Sequence, residues 1–288
     1  MKFTVQWWRK EITETVFFLL LLFAIRTLIF SLYHVPSGSM ETTMFVGERY
    51  LGDKLTYFLR APRRGEIIAM NEPEYEYSKN LAVNWFQRYV WGPSNFTKRV
   101  IGVPGDHVKG VIEDGKPVVY LNGEKLNEPY LNKYPLILVY KADPALVRSG
   151  KVSGRDALAN ASFDPNIKSW KDQPFYKIDP LKIVRPYRIK QPGDLFIDID
   201  ESGQKRNLDE FDVHLGEDEF WLMGDNRLGS SDCRYWGKPV KGQQIHAKII
   251  FRLWSLDSDS GWPVLEFVKH PIEFFKRIRW SRIFNTMS

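Results

Sequence analysis

The sequence predicts a mostly β fold carried behind one amino-terminal membrane-spanning helix. Short apolar stretches bounded by turn residues recur from residue 65 onward, which is the signature of strands. One long apolar run stands near the amino end, and no other stretch is long enough to cross a bilayer. Cys233 is the single cysteine in 288 residues, so an intramolecular disulfide scaffold, a zinc ribbon and a CxxC redox motif are all excluded.

Composition sets the frame for these elements. Hydrophobic residues are 43% and charged residues 26%, which is ordinary globular usage and argues against wholesale disorder. Lys plus Arg is 41 against 35 Asp plus Glu, a net +6 that is weak evidence for a nucleic-acid partner; none is expected.

The first element is the apolar run. Val16–Ile25 reads VFFLLLLFAI, and LIFSLY follows Arg26 and Thr27. A helix over Ile12–Leu32 would be about 31 Å long, the thickness of a bilayer core. Glu14 and Arg26 then lie near its two ends, where Arg26 can snorkel, and Trp7 and Trp8 sit at headgroup level. Lys2, Arg9 and Lys10 precede the run, which predicts a cytoplasmic amino end and an extracytoplasmic body. A cleavable leader should show a small-x-small site after the run, but Arg26-Thr27-Leu28-Ile29-Phe30 offers none. A buried core helix is the other alternative. Pro36 and Gly38 are expected to end the helix.

Strands are expected next. Gly65-Glu66 precedes IIAM, Pro104-Gly105-Asp106 precedes HVKGVI, and Pro192-Gly193-Asp194 precedes LFIDI. Asp114-Gly115 and Asn122-Gly123 flank PVVYL and read as two-residue hairpin turns. Residues 141–190 carry five prolines with poor periodicity and read as a loop-rich part of an insertion. At the carboxyl end, Ile272, Phe275, Ile278 and Phe284 on one side, with Lys276, Arg277, Arg279 and Arg282 among the rest, predict a basic amphipathic helix. Such a helix either lies on an anionic membrane or packs on the protein body.

There is no G-x-S-x-G elbow, H-E-x-x-H or P-loop, and the five histidines show no ligand spacing. Neither metal nor cofactor is expected. Three polar segments carry chemistry. PSGSM (36–40) places two hydroxyls around a glycine just beyond the span; it is either a simple turn or a turn that exposes a nucleophile beside oxyanion donors. KRVIGVPGD (98–106) offers a lysine that burial can turn into a base. GDNRLGSSDCRYWG (224–237) is dense in polar groups that need mutual hydrogen bonds if buried.

With RGEI (64–67), these segments in this order resemble the bacterial type I signal peptidase family, whose pattern includes P-S-x-S-M, R-G-D-I, K-R-x-x-G-x-P-G-D and G-D-N-R-x-x-S-x-D-S-R-x-W-G. Four motifs in order are a specific signal. The resemblance implies a membrane-anchored serine endopeptidase with a Ser/Lys dyad, removing signal peptides from exported precursors after an Ala-x-Ala-like site. It implies a signal-peptidase-like β-sheet or barrel core with a β-rich insertion. By position, Ser39 would be the nucleophile and Lys98 the general base. Ser37 would join the Ser39 N–H in the oxyanion hole, and Ser230 would hold the Lys98 amine. Asp232 and Arg234 would support the site as a pair, with Asp225 and Arg227 nearby. Glu66 replaces the usual Asp, and Cys233 replaces Ser, which raises sensitivity to thiol reagents as an expectation.

The expected organisation is 1–34 cytoplasmic end and anchor, 35–106 and 213–270 catalytic core, 107–212 insertion, and 271–288 basic carboxyl segment. Expected partners are precursors, membrane lipid and the secretion machinery. The expected location is the inner (plasma) membrane, single-pass.

Overall fold

The computed structural model describes residues 5–73, 75–89, 92–140, 158–160, 190–199, 202–256, 267–269 and 271–287. The Pro-rich stretch 141–190 lies outside the described residues, apart from 158–160 and 190.

Helix α1 (Val5–Ala24) runs on through a wider π turn, Ile25–Ile29. Trp8–Ile29 is long and apolar enough to cross a membrane, and no part of that window is buried against the protein. The helical segment stops earlier than the expected Leu32. Phe30–His34 instead forms strand β1, paired residue for residue with β2 (Arg49–Asp53) from Phe30↔Asp53 to His34↔Arg49. An aromatic-rich stretch gains cross-strand partners on a sheet that helix propensity cannot match. The span therefore feeds directly into the β body before Pro36 is reached.

The further strands are β3 (Ile67–Asn71), β4 (Asn95–Gly102), β5 (His107–Glu113), β6 (Lys116–Leu121), β7 (Glu124–Lys125), β8 (Leu138–Tyr140) and β9 (Leu158–Asn160). They are followed by β10 (Ile197–Ile199), β11 (Lys205–Asn207), β12 (Phe211–His214), β13 (Glu219–Met223), β14 (Val240–Lys241), β15 (Ile245–Trp254) and β16 (Asn285–Thr286). Every pairing is antiparallel. The main sheet has the order β1-β2-β15-β3-β4-β13-β14, with β16 added to β15, and a second sheet has the order β12-β5-β6-β7. The mostly β fold is as expected.

The hairpin signals act locally as predicted. Asp114 and Gly115 have φ of 50° and 74°, and Asn122 and Gly123 have 53° and 86°. Paired positive φ values match the twist of tight hairpins, so these turns set the β5-β6 and β6-β7 registers. Among the described residues, the second sheet does not form a separate core. Val108, Val119 and Leu215 pack in one cluster with Ile68, Val100, Trp221 and Leu222 of the main sheet. The expected boundary at 212/213 also falls inside β12, which pairs with β5. A second cluster, with Tyr33, Val35, Met40, Met44, Tyr50, Ile67 and Ile249, lies under the turn after β1.

The carboxyl end differs from a continuous amphipathic helix. Among the described residues, 267–269 and Pro271–Lys276 are helical; Ile278 then bridges Leu256, and Asn285–Thr286 forms β16. Phe274 and Ile278 are buried with Leu256, whereas Ile272, Phe275 and Phe284 are exposed. The segment is drawn off helical course by its arginines. Arg279 reaches the carbonyls of Val46 and Leu256, and Arg282 reaches Glu48.

Candidate active site

Ser39 lies in a single 3-10 turn, Gly38–Met40, just after β1. Gly38 and Met40 are buried, Ser39 is half-buried and Ser37 is exposed. The turn is held from a distant part of the chain. Asn226 donates its side-chain N–H to the Gly38 carbonyl at 2.9 Å and its backbone N–H to the Ser39 carbonyl at 3.0 Å. Gly224 is required by this approach: a Cβ there would stand 2.5 Å from the Ser39 carbonyl oxygen and collide with Ser230.

Lys98 projects from β4 and is only 2% exposed. Its Nζ lies 3.1 Å from Ser39 Oγ, and 5.7 Å from the Phe96 ring centroid. Burial pushes its pKa down to about 8, with the Asp232 carboxylate opposing and the Arg234 guanidinium assisting. PSGSM and KRVIGVPGD, separate in sequence, thus meet at one hydrogen bond.

The third segment forms the wall behind Lys98. Asp232 caps the turn Cys233–Trp236, accepting from the backbone N–H of Arg234 at 3.2 Å and of Gly224 at 2.9 Å. Arg234 grips the Asp232 carboxylate through Nε at 3.0 Å and Nη2 at 2.9 Å, and also bonds Asp209 at 2.7 Å. Burial works against the Asp232 charge, yet the Arg234 guanidinium holds its carboxyl below the usual range. The expected Asp232–Arg234 pair is present.

Asp225 and Arg227 take different partners. Arg99 meets both Asp225 oxygens, at 2.8 and 2.7 Å, and Thr43 donates its hydroxyl to Asp225 at 2.5 Å. Arg227 pairs with Glu128 and donates to the Gly224 carbonyl at 3.2 Å. Ser230 is buried behind Gly224, and among the described residues its Oγ has no hydrogen-bond partner; the Lys98 amine is directed at Ser39 instead. Its expected hydrogen bond to Lys98 is therefore not formed in this arrangement.

RGEI joins the same framework. Arg64 forks onto Asp106, with Nε at 2.8 Å, and Asp106 also accepts from the Val103 N–H at 2.9 Å. Glu66 takes Arg60, and Lys248 at 3.0 Å. Cys233 is fully buried, accepts the Leu222 N–H at 3.2 Å, and burial raises its thiol pKa. A protonated, covered thiol is inert, so the expected sensitivity to thiol reagents is corrected.

Thr43, Arg99, Glu128, Asp209 and Asn226 were given no role by sequence reasoning. Arg99 and Asn226 sit inside the quoted motifs, next to Lys98 and Asp225, so their signal was present. Thr43, Glu128 and Asp209 lie outside the motifs and carry none.

At the end of the span, a cleft of about 900 Å³ runs along β1 and the start of β4. Leu22, Ile25, Phe30, Leu32 and Phe58 give it apolar walls, with Arg26 and Lys54 among its polar groups. Asn95 lines the cleft three residues before Lys98, about 10 Å away along the strand.

Sequence comparison with known proteins points to one family. The family model described as signal peptidase, peptidase S26, matches residues 8–254. A probable signal peptidase I-2 of Synechocystis is 30% identical over 60% of this chain and 71% of its own length. Signal peptidase I of Aquifex aeolicus is 28% identical over 80% of this chain and 78% of its own. Signal peptidase I of Rickettsia bellii is 27% identical over 99% and 86%. A solved signal peptidase I from Enterococcus faecalis shares 18% identity over 66% of this chain and 97% of its own, with a TM-score of 0.28.

Proposed function

Since the chain belongs to the signal peptidase family, peptidase S26, and removes signal peptides from secreted precursors, we propose that it does so with Ser39 as nucleophile and Lys98 as general base. The observation that carries this reading is the 3.1 Å contact between a buried Lys98 Nζ and Ser39 Oγ. A lysine accepts a proton only when neutral, and desolvation at 2% exposure favours that state.

The steps follow from this contact. Neutral Lys98 takes the Ser39 hydroxyl proton as Oγ attacks the scissile carbonyl carbon. The Ser39 N–H and the hydroxyl of Ser37, the residue that enters the turn Gly38–Met40, would hold the negative oxygen of the tetrahedral intermediate. The Lys98 ammonium then protonates the departing amine, the carbon–nitrogen bond breaks, and the signal peptide remains as an ester on Ser39. A water, deprotonated by Lys98, releases it. Asp232, Arg234, Asp225 and Arg227 act as positioning residues through the backbone of 224–237. Ser230, buried beside Gly224, keeps that backbone packed against the Ser39 carbonyl.

The cleft where the π turn and β1 meet the body supports a place for the apolar segment of the precursor, and Ser39 follows β1 only a few residues beyond the span. Basic residues before the span favour a cytoplasmic amino end and a catalytic body on the outer side of the plasma membrane, in contact with lipid and within reach of secretion machinery. An Ala-x-Ala-like cleavage site is part of this proposal.

The test is cleavage of a precursor bearing Ala-x-Ala by the detergent-solubilised protein. Ser39→Ala and Lys98→Ala should each lower kcat by roughly a thousandfold or more while the fold is retained. Unimpaired cleavage by Lys98→Ala would overturn the mechanism.

A further inference from the structure

Away from the proposed catalytic centre, the fold gathers histidines that the sequence scatters. In the β5–β12 ladder His107 stands opposite His214, and Lys109 opposite Asp212. Residues two apart on a strand share a face, so all four side chains project to the same side. The two imidazole rings stack with centroids 4.0 Å apart and planes 10° from parallel. His107 Nε2 meets Asp212 Oδ1 at 2.5 Å, and Lys109 Nζ holds Oδ2 at 2.9 Å. One ligand atom from each of His107, Asp212 and His214 lies within 4.8 Å of the other two.

We propose that His107, Asp212 and His214 bind a divalent transition-metal ion of the zinc type. Two neutral imidazoles and one carboxylate are the donor set for such an ion, whereas calcium or magnesium would want oxygens. Bonds of about 2.0–2.2 Å to one centre need donor atoms roughly 3.5 Å apart. The side chains of His107 and Asp212 are 33% and 50% exposed, so small rotations bring them there. His107 would coordinate through Nε2 as the neutral imidazole with its one proton on Nδ1, and its contact with Asp212 would open so that the Nε2 and Oδ1 lone pairs turn to the ion. Lys109 stays on the far carboxylate oxygen, the kind of outer partner that orients a ligating carboxylate. Three protein donors leave a fourth position for water.

Placement gives the site a use. His107 and Asp212 are 105 residues apart in the chain and open and close the segment expected as the insertion. An ion on all three side chains would clamp β5 to β12, where that segment leaves and rejoins the body. A plain cross-strand ion pair of Asp212 with Lys109 and His107 is the alternative, and it would not require His214.

The experiment uses the full-length, untagged chain in detergent, stripped of metal with a chelator and titrated with Co²⁺ near neutral pH. One Co²⁺ per chain should bind with visible d–d absorption, and one equivalent of Zn²⁺ should displace it. His214→Ala leaves the His107–Asp212–Lys109 contacts intact, yet should weaken binding at least tenfold. The double variant H107A/H214A should abolish it. An unchanged thermal midpoint of each metal-free variant shows that the fold is retained. No saturable binding below roughly 100 µM, or a loss of less than tenfold in the double variant, would overturn the proposal.

Discussion

Lys98 is a long cationic side chain kept almost wholly from water, and its chemistry follows from what surrounds it. With its pKa pushed down to about 8, roughly a tenth of the population is neutral at pH 7. Precursor cleavage should therefore rise with pH along an acid limb centred near 8, measured as kcat/KM of the free enzyme. The Asp232 carboxylate opposes the downward shift, so Asp232→Asn should move that limb to lower pH. A limb that stays in place would separate Asp232 from Lys98 titration. Arg99 offers a different test. It meets both oxygens of fully buried Asp225, and Arg99→Ala should cost about 3–5 kcal/mol of stability, because it leaves a buried carboxylate unpaired. Denaturant unfolding reads this directly. The meeting of Ser39 and Lys98 was legible from motif order, since the motifs restrict residue type and spacing. That Arg99, a motif residue, and Thr43 both turn to Asp225 was not. Thr43 is 182 residues away and Arg99 is 126, and contacts across such separations leave no local period in the sequence.

Short elements at the two ends of the chain meet on either side of the Ser39 turn. The carboxyl-terminal segment lies beyond the residues matched by the family model, yet it packs against the stretch that follows Ser39. Arg282 bonds Glu48 at 2.7 Å and the Thr43 carbonyl at 3.0 Å, and stacks over Phe45 with its guanidinium carbon 4.1 Å from the ring centroid. Arg252 bonds the same Thr43 carbonyl at 2.8 Å, and Ser255 donates to Glu48 at 2.7 Å. Burial opposes the Glu48 charge, but Arg282 and Arg252 hold its carboxyl below the usual range. Arg282→Ala should lower stability by about 2 kcal/mol, a few degrees of thermal midpoint. The contribution is complete above the ordinary glutamate pKa of about 4.3 and is lost as pH falls through the lower folded-state value. The wild-type and variant midpoints should therefore converge in acid; a constant gap would assign Arg282 a packing role alone. The sequence showed basic and apolar residues here in helical spacing. It did not show that a buried glutamate 234 positions away would claim the arginine.

At the scale of the whole molecule, exposed apolar side chains stand on the β body as well as along the candidate span. The strands and hairpin turns were legible because period-two patterning and Asn-Gly or Asp-Gly turns act locally. Which apolar residues stay exposed was not legible, because exposure is decided by what packs opposite. Two short helices, α2 (Thr56–Leu59) and α3 (Leu81–Tyr89), contribute Phe58 and Gln87 to the cleft beside α1. Leu59 and Leu81 on these helices are 86% and 88% exposed, and Phe58 and Trp85 are exposed with them. Beside a bilayer-spanning helix, such side chains gain by entering the interface, each worth up to about 1.5–3 kcal/mol if fully withdrawn from water. They would set the height and tilt of the body above the lipid, and thereby the point along a membrane-inserted precursor that reaches Ser39. The double variant L59D/L81D would remove such a contact at positions that bury almost nothing in the protein itself. Reconstituted into vesicles, it should cleave a membrane-inserted precursor several-fold more slowly. Its cleavage of a short soluble peptide, which needs no alignment with the bilayer, should be unchanged. Equal slowing of both substrates would instead locate the defect in the Ser39–Lys98 centre, and equal rates on both would show that α1 alone holds the body in register with the membrane.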